Sequence, residues 1–276
     1  MLTMSDLKVA VCVIGRGENN YIREFVEHYK KLGVNKIFIY DNNHDGEEHF
    51  EDVIGDYVND GFVKITNYRN LVKVQNQAYN DCYRKHGGEF DAIMMVDIDE
   101  YLVLEHDKTI QSYIRRFPSD WQAILINWDC RNANGKVEYE NKPLFERFTE
   151  SIPTNKCVQY QNIPEDMHIK TIVRGGLPNV KWYGQPHVPI TVSTCYNASG
   201  VRCSNSPWQP VDFRMARIVH FVCKSLQEWV ENKMKRGVGD RTYDLFLKTY
   251  AKRFWGYNEK TEEMVEWLNK NGYSGL

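Results

Sequence analysis

The chain has 276 residues, of which 42% are hydrophobic and 13% aromatic, enough for one large domain or two small ones with a sizeable core. Its 35 basic and 37 acidic side chains leave a net charge of −2, which gives no reason to expect a surface built to coat nucleic acid. No run reaches the ~18 apolar residues of a spanning helix, Met1–Lys8 does not read as a signal peptide, and the 7 scattered cysteines hold no C-x-x-C pair, so reduced thiols in the cytoplasm are expected, with any membrane association peripheral.

Val9–Ile14 reads as a short apolar strand. A polar turn over Gly15–Asn20 leads into a helix over Tyr21–Leu32, where Ile22, Phe25, Val26 and Tyr29 recur at helical spacing and Gly33 supplies the C-cap. Lys36–Tyr40 is a second strand, ending in the polar run Asp41–Gly46. Glu48–Asn59 is a helix, Val63–Thr66 a third strand and Val72–His86 a further helix. Ala92–Val96, apolar at every position, reads as a strand buried on both faces. This β-α-β-α-β-α-β alternation predicts right-handed crossovers and an α/β fold with a mostly parallel central sheet flanked by helices.

A helix near Ile110–Arg116 and a strand over Ala123–Trp128 continue the pattern. From Arg131 to Pro210 it stops, and the stretch reads as inserted loops and hairpins with short β-rich pieces such as Thr171-Ile172-Val173. Leu226–Arg236, Asp244–Trp255 and Met264–Asn269 are the closing helices, the last capped at Thr261 and followed by Gly272. No linker interrupts the chain. A single domain over 1–276 is therefore expected, divided into 1–128 and a more variable 129–276.

The buried strand ends in Asp97-Ile98-Asp99-Glu100-Tyr101. Two carboxylates at i and i+2 then stand at the strand's C-terminal end, where open α/β sheets bind ligands. Hard oxygens at that spacing suit Mg²⁺ or Mn²⁺ shared with substrate phosphates; a helix cap or a solvated turn is the plain alternative. Asp41, on the same edge, is placed to accept from a base or a ribose, or to close an ordinary Asx-turn. Gly15-Arg16-Gly17 is no dinucleotide fingerprint, because Glu18-Asn19-Asn20 follow. Arg16 and Arg69 each come after a strand, where a guanidinium pairs with phosphate or lies on the surface. His187, between prolines, and His220, in an apolar run, are either satisfied imidazoles or ligands completing a Mn²⁺ sphere. Lys224, Lys233, Lys235 and Arg236 form either a solvated face or a clamp for diphosphate.

Together these stretches resemble nucleotide-sugar-dependent glycosyltransferases of the GT-A fold, and most of all the family-2-like and family-92-like group whose acidic motif reads Asp-x-Asp-Glu-Phe/Tyr. The likeness runs in order through Arg16-Gly17-Glu18-Asn19 with Tyr21-Ile22-x-Glu24-Phe25, Ile39-Tyr40-Asp41-Asn42, Gln75-x-x-Ala78-Tyr79-Asn80-Asp81-Cys82, Asp97–Tyr101, Glu146-Arg147-Phe148-Thr149, Lys170–Arg174 to Pro186-His187, and Ile218–Phe221 through Lys224-Ser225-x-x-Glu228-Trp229 to Lys233-x-x-Arg236-Gly237. Two departures stand out. Arg16-Gly17 replaces the group's Lys-Asn, and Asp129-Cys130-Arg131-Asn132 replaces a Phe-Gly-Ser type segment where the acceptor would bind.

The resemblance implies a GT-A-like nucleotide-diphospho-sugar transferase, with 1–128 holding the donor and 129–276 the acceptor. It implies that Asp99 binds Mn²⁺ or Mg²⁺, that Asp97 contacts ribose or metal, and that Asp41 reads the base, taken as uracil. His187 or His220 would supply a late metal or diphosphate contact, with His187 the first choice. Lys224 and Arg236 would support the diphosphate, and Arg16, Glu18, Arg69 and Gln75 complete the donor side. A carboxylate must deprotonate the acceptor hydroxyl in an inverting transfer; Asp129, Glu146 and Asp166 are the candidates, Asp129 first because it follows a strand. The implied activity is transfer of a hexose from a UDP-sugar to a glycan or lipid-linked acceptor in surface polysaccharide assembly. A sugar-nucleotide nucleotidyltransferase and a non-catalytic carbohydrate- or nucleotide-binding protein of the same fold are the alternatives.

Overall fold

The computed structural model describes residues 7–160, 162–234 and 251–274. In chain order the elements are β1 (Val9–Gly15), α1 (Asn19–Lys31), β2 (Lys36–Asp41), α2 (Glu51–Asn59), β3 (Val63–Asn67), α3 (Gln75–His86), β4 (Ala92–Val96), β5 (Glu100–Leu104), α4 (Ile110–Ile114), β6 (Ala123–Cys130), α5 (Leu144–Arg147), β7 (Gln159–Tyr160), β8 (Ile163–Pro164), β9 (Ile169–Arg174), β10 (Cys195–Asn197), β11 (Arg202–Cys203), β12 (Ala216–His220) and α6 (Leu226–Glu228). The chain divides into two compact units, Met1–Trp128 with Met167–Val219, and Asp129–Asp166 with His220–Leu276.

The first unit is built on a sheet of strand order β11-β10-β6-β9-β4-β1-β2-β3, with β12 paired to β5 and β6. β3, β2, β1 and β4 run parallel, as the alternation of strands and helices requires. β1 and β4 are buried along almost their whole length, the mark of a strand covered on both faces. α1 lays Tyr21, Ile22, Phe25, Val26 and Tyr29 into the core. Gly33 follows its last turn with φ +87°, a left-handed conformation natural to glycine.

Three segments differ from the sequence expectation. The stretch after Arg131, expected to be inserted loops and hairpins with short β-rich pieces such as Thr171–Val173, contributes β9 to the middle of the sheet, antiparallel to both β4 and β6. Residues 72–74, expected in a helix, lie outside α3, because Asn70 and Lys73 take φ of 62° and 55° and break the helical path. Glu100–Leu104 is a strand in its own right. The Tyr29 hydroxyl donates to the Glu100 carbonyl at 3.0 Å and accepts from the Leu102 amide at 3.2 Å, so α1 satisfies the backbone of β5.

In the second unit α5 and α6 are tied by a buried ion pair of Arg147 with Glu228, whose side chains are 1% and 3% exposed. Ser225 and Glu228 close a reciprocal capping box at the start of α6, and the helix widens into a π-type turn over Trp229–Met234. Residues 235–236 and 244–250 of the expected helices, Arg236 among them, lie outside the described residues. Residues 251–257 are helical, and the Thr261 side chain accepts from the Met264 amide to cap the last helix, Glu262–Lys270. No helix among the described residues is long and apolar enough to cross a membrane.

Candidate functional site

The acidic turn leaves β4 at its C-terminal end and enters β5 at Glu100. Its backbone closes on itself: the Glu100 amide donates to the Asp97 carbonyl at 3.1 Å, and the Asp97 amide donates to Glu100 Oε2 at 2.9 Å. α3 grips the turn from one side. Gln75 donates to Asp97 Oδ1 at 2.7 Å, and the Tyr79 hydroxyl donates to the Val96 carbonyl at 3.2 Å. β9 grips it from the other. The register Met95↔Thr171 brings the next residue, Lys170, beside the strand end, and its ammonium meets Asp97 Oδ2 at 2.8 Å and Glu100 Oε2 at 3.2 Å.

Burial sorts these groups. Lys170 and Glu100 are wholly inaccessible and Asp99 is 6% exposed, while the Asp97 side chain is 34% exposed. Burial pushes the Glu100 carboxyl above the usual carboxylate range, the Lys170 ammonium pulls it back, and the charges of Asp97 and Asp99 add to the rise. Burial alone would lower the pKa of Lys170, but the carboxylates of Asp97 and Glu100 outweigh it and raise the pKa above its ordinary value.

The turn fits a divalent cation. Glu100 Oε1 is buried and has no hydrogen-bond partner among the described residues, and such an atom calls for an ion or a donor. A carboxylate oxygen of Asp99 and one of Glu100 lie within 4.8 Å of each other. The donors are hard oxygens, suited to Mg²⁺ or Mn²⁺.

The neighbouring strand ends carry a polar network. Asp41, last in β2, accepts from Arg69 at 2.6 Å through Oδ2 and from the amide and side chain of Asn43 at 3.0 and 2.7 Å through Oδ1. The Arg69 guanidinium also donates to the carbonyls of His44 and Glu48, so it knits the loop after β2. Arg16, after β1, donates to both carboxylate oxygens of Glu47 at 3.1 and 2.7 Å. Glu18 stands at the N-cap position of α1 and is 5% exposed; the first-turn amide of Asn19 is taken by Glu48 at 2.8 Å. Glu48 thus caps a helix 29 positions away, a role that no local sequence signal carries.

His187 lies in the same unit. Its Nδ1 meets the Ile169 carbonyl at 3.0 Å, which fixes that nitrogen as the protonated one. Its ring packs edge-on to Trp128 and beside His168, at centroid distances of 5.3 and 5.1 Å. The remaining expected residues fall in the second unit. Asp129 is 2% exposed and paired to Arg131 at 2.8 Å. Glu146 is exposed on α5, and Asp166 is 1% exposed in a single 3₁₀ turn. The His220 carbonyl accepts from the Arg131 amide at 2.9 Å. Lys224 is 4% exposed with φ +57°, a left-handed conformation that a lysine rarely adopts.

Of the expected site residues, the structure gathers Gln75, Asp97 and Asp99 around one turn, and it adds Lys170 and Glu100, which the sequence reading did not single out as site residues. One signal was available: Lys170 is a lone ammonium inside the apolar strand Ile169–Val173, and a buried lysine requires a carboxylate.

The family model described as glycosyltransferase family 92 matches residues 7–238. A glycosyltransferase family 92 protein of Oryza sativa subsp. japonica is 26% identical over 144 residues, 51% of this chain and 24% of that protein. One of Ricinus communis is 24% identical over 108 residues, 39% of this chain and 19% of that protein. The matched part of this chain thus spans a quarter or less of those relatives' own lengths. Among solved structures, S. aureus TarS 1–349 is similar with a TM-score of 0.42 and 14% identity, over 97% of this chain and 80% of that one.

Proposed function

The chain belongs to glycosyltransferase family 92, and from that premise we propose that it transfers a hexose, with inversion, from a nucleotide-diphosphate sugar to a hydroxyl of a glycan or lipid-linked acceptor, in the cytoplasm. The observation that carries the reading is the turn Asp97–Glu100, locked by Gln75 and Lys170 at the C-terminal end of a buried strand. Asp99 and Glu100 would hold Mn²⁺ or Mg²⁺, with Asp97 beside them contacting the donor ribose. When bound, the cation would offset the charge that develops on the departing diphosphate.

The chain's own residues do the rest. Asp41 is held by Arg69 and Asn43, and a carboxylate keeps further lone pairs for a uracil N–H. Arg16 and Glu18, just ahead of α1 on the same sheet edge, would lie beside the donor. His187 would present an imidazole whose tautomer Ile169 fixes. Asp129, on the strand that leaves the first unit, is the first choice for accepting the acceptor's hydroxyl proton, and Lys224 for steadying the diphosphate.

Calorimetry with UDP and GDP, each with and without Mn²⁺, tests the reading. UDP is expected to bind more tightly than GDP, and only with Mn²⁺ at full affinity. Asp99→Ala should abolish Mn²⁺-dependent donor hydrolysis while the circular dichroism stays that of the wild type. Unchanged hydrolysis would remove Asp99 from the site.

A further inference from the structure

Lys170 is a lysine of no exposure in the middle of a ten-stranded sheet. An ammonium removed from water needs compensating charge. Lys170 takes it from two side chains of one turn, Asp97 at 2.8 Å and Glu100 at 3.2 Å. Two physical consequences follow. The three carboxylates of the turn carry three formal negative charges, and the ammonium leaves two, the charge that one divalent ion cancels. The second consequence concerns Asp97. Its Oδ2 is held by Lys170 and its Oδ1 by Gln75, so it is tied to protein donors on both oxygens, whereas Glu100 keeps Oε1 without a hydrogen bond among the described residues.

We infer that Lys170 is the positioning residue of the acidic turn: it cancels one of the three carboxylate charges and binds Asp97 to the protein, so that the turn takes a single divalent cation on Asp99 and Glu100. This role rests on the reading that the turn holds such an ion.

The test is Mn²⁺ affinity and stoichiometry, measured by calorimetry on the full chain without nucleotide. Lys170→Met keeps the apolar stem and removes the charge. Loss of a cation a few ångströms from the site is expected to tighten Mn²⁺ binding by roughly tenfold or more. Adding Asp97→Asn restores the wild-type charge count, and the double variant is expected to return to within about threefold of wild type. Should Lys170→Met alone fail to fold, the double variant is compared with Asp97→Asn, over which it should gain roughly tenfold. A lysine that only supports the fold would lower stability and leave Mn²⁺ affinity where it was. A folded Lys170→Met with wild-type or weaker affinity overturns the role, as does a double variant that gains nothing over Asp97→Asn. Wild-type protein that binds no Mn²⁺ would instead sink the reading of the turn itself, so the two failures are distinguishable.

Discussion

Gly15→Ala should disturb the acidic turn from behind, without touching a charge. Gly15 ends β1, and a Cβ there would lie 2.1 Å from Ile98 Cδ1, 3.2 Å from Ile98 Cγ1 and 3.2 Å from Phe50 Cζ. Ile98, the residue between the two aspartates, is 2% exposed, and Phe50 is not exposed at all. Neither side chain has open space to enter. Gly15 does not sit at a positive φ, so the penalty is one of volume alone. Replacing glycine by alanine gains about 0.4–1 kcal/mol by restricting the unfolded chain, while overpacking a core costs about 1–3 kcal/mol. A net loss of roughly 1–2 kcal/mol is expected. Ile98→Val removes the clashing Cδ1 and alone costs about 0.5–1.5 kcal/mol. In the double variant the clash is relieved, so its loss should fall short of the sum by about 1 kcal/mol. Urea unfolding followed by circular dichroism measures each stability, with an unchanged m-value as the check on two-state behaviour. Mn²⁺ titration of the same proteins should show affinity weakened by Gly15→Ala and recovered in the double variant. The reasoning fails if Gly15→Ala is neutral or stabilising, or if the two losses add to within about 0.5 kcal/mol.

The buried pair of the second unit allows a similar cycle. Arg147→Met removes the guanidinium that meets the buried Glu228 carboxylate and should cost about 3–5 kcal/mol by urea unfolding, whereas Arg147→Met with Glu228→Gln should cost clearly less. His28 predicts a pH dependence. Burial pushes its pKa down from 6.5 to about 4, and its Nε2 meets the Leu102 carbonyl at 2.8 Å. The unfolded chain therefore takes up this proton first as the pH falls. Stability should drop by up to about 3 kcal/mol between pH 6.5 and about 4 and lose nothing more to this group below that. His28→Gln keeps a donor for Leu102 and should flatten that segment of the stability–pH curve; an unchanged slope would assign the loss to other groups.

The parts of the fold that local pattern specifies were legible. β1, β2, β3 and β4 are short apolar runs between polar turns, and α1 carries its buried face at helical spacing, so the parallel half of the sheet follows from sequence order. The β-rich run Thr171–Val173 was legible, but its place as β9 between β4 and β6 was not, because a single strand joined by long connections carries no signal of its partners. The start of α3 was blurred for a related reason: Val72 and Val74 read as helix, and the positive φ of Asn70 and Lys73 stops it. β5 begins inside the acidic turn, and what makes it a strand is its pairing with β12, far along the chain, with the Tyr29 hydroxyl closing two further backbone groups.

The same division runs through the site, and it bears on how acidic motifs are read. Asp97 and Asp99 were legible because an apolar strand stops where they begin. Adjacency alone makes them look equivalent, yet the fold assigns them different work. Asp97 is about one-third exposed and bonded to Gln75 and Lys170; Asp99 is buried beside Glu100. The group that separates them, Lys170, sits 73 residues further along, where no spacing rule connects it to the turn. What does connect them is the desolvation penalty of a charge. A lysine in the interior of an apolar strand states that a carboxylate must lie within ion-pair distance, and in this chain the acidic cluster at the end of the adjacent strand meets that demand. Such a lysine marks from sequence that a carboxylate partner is needed, and the pairing of β9 with β4 then says which one.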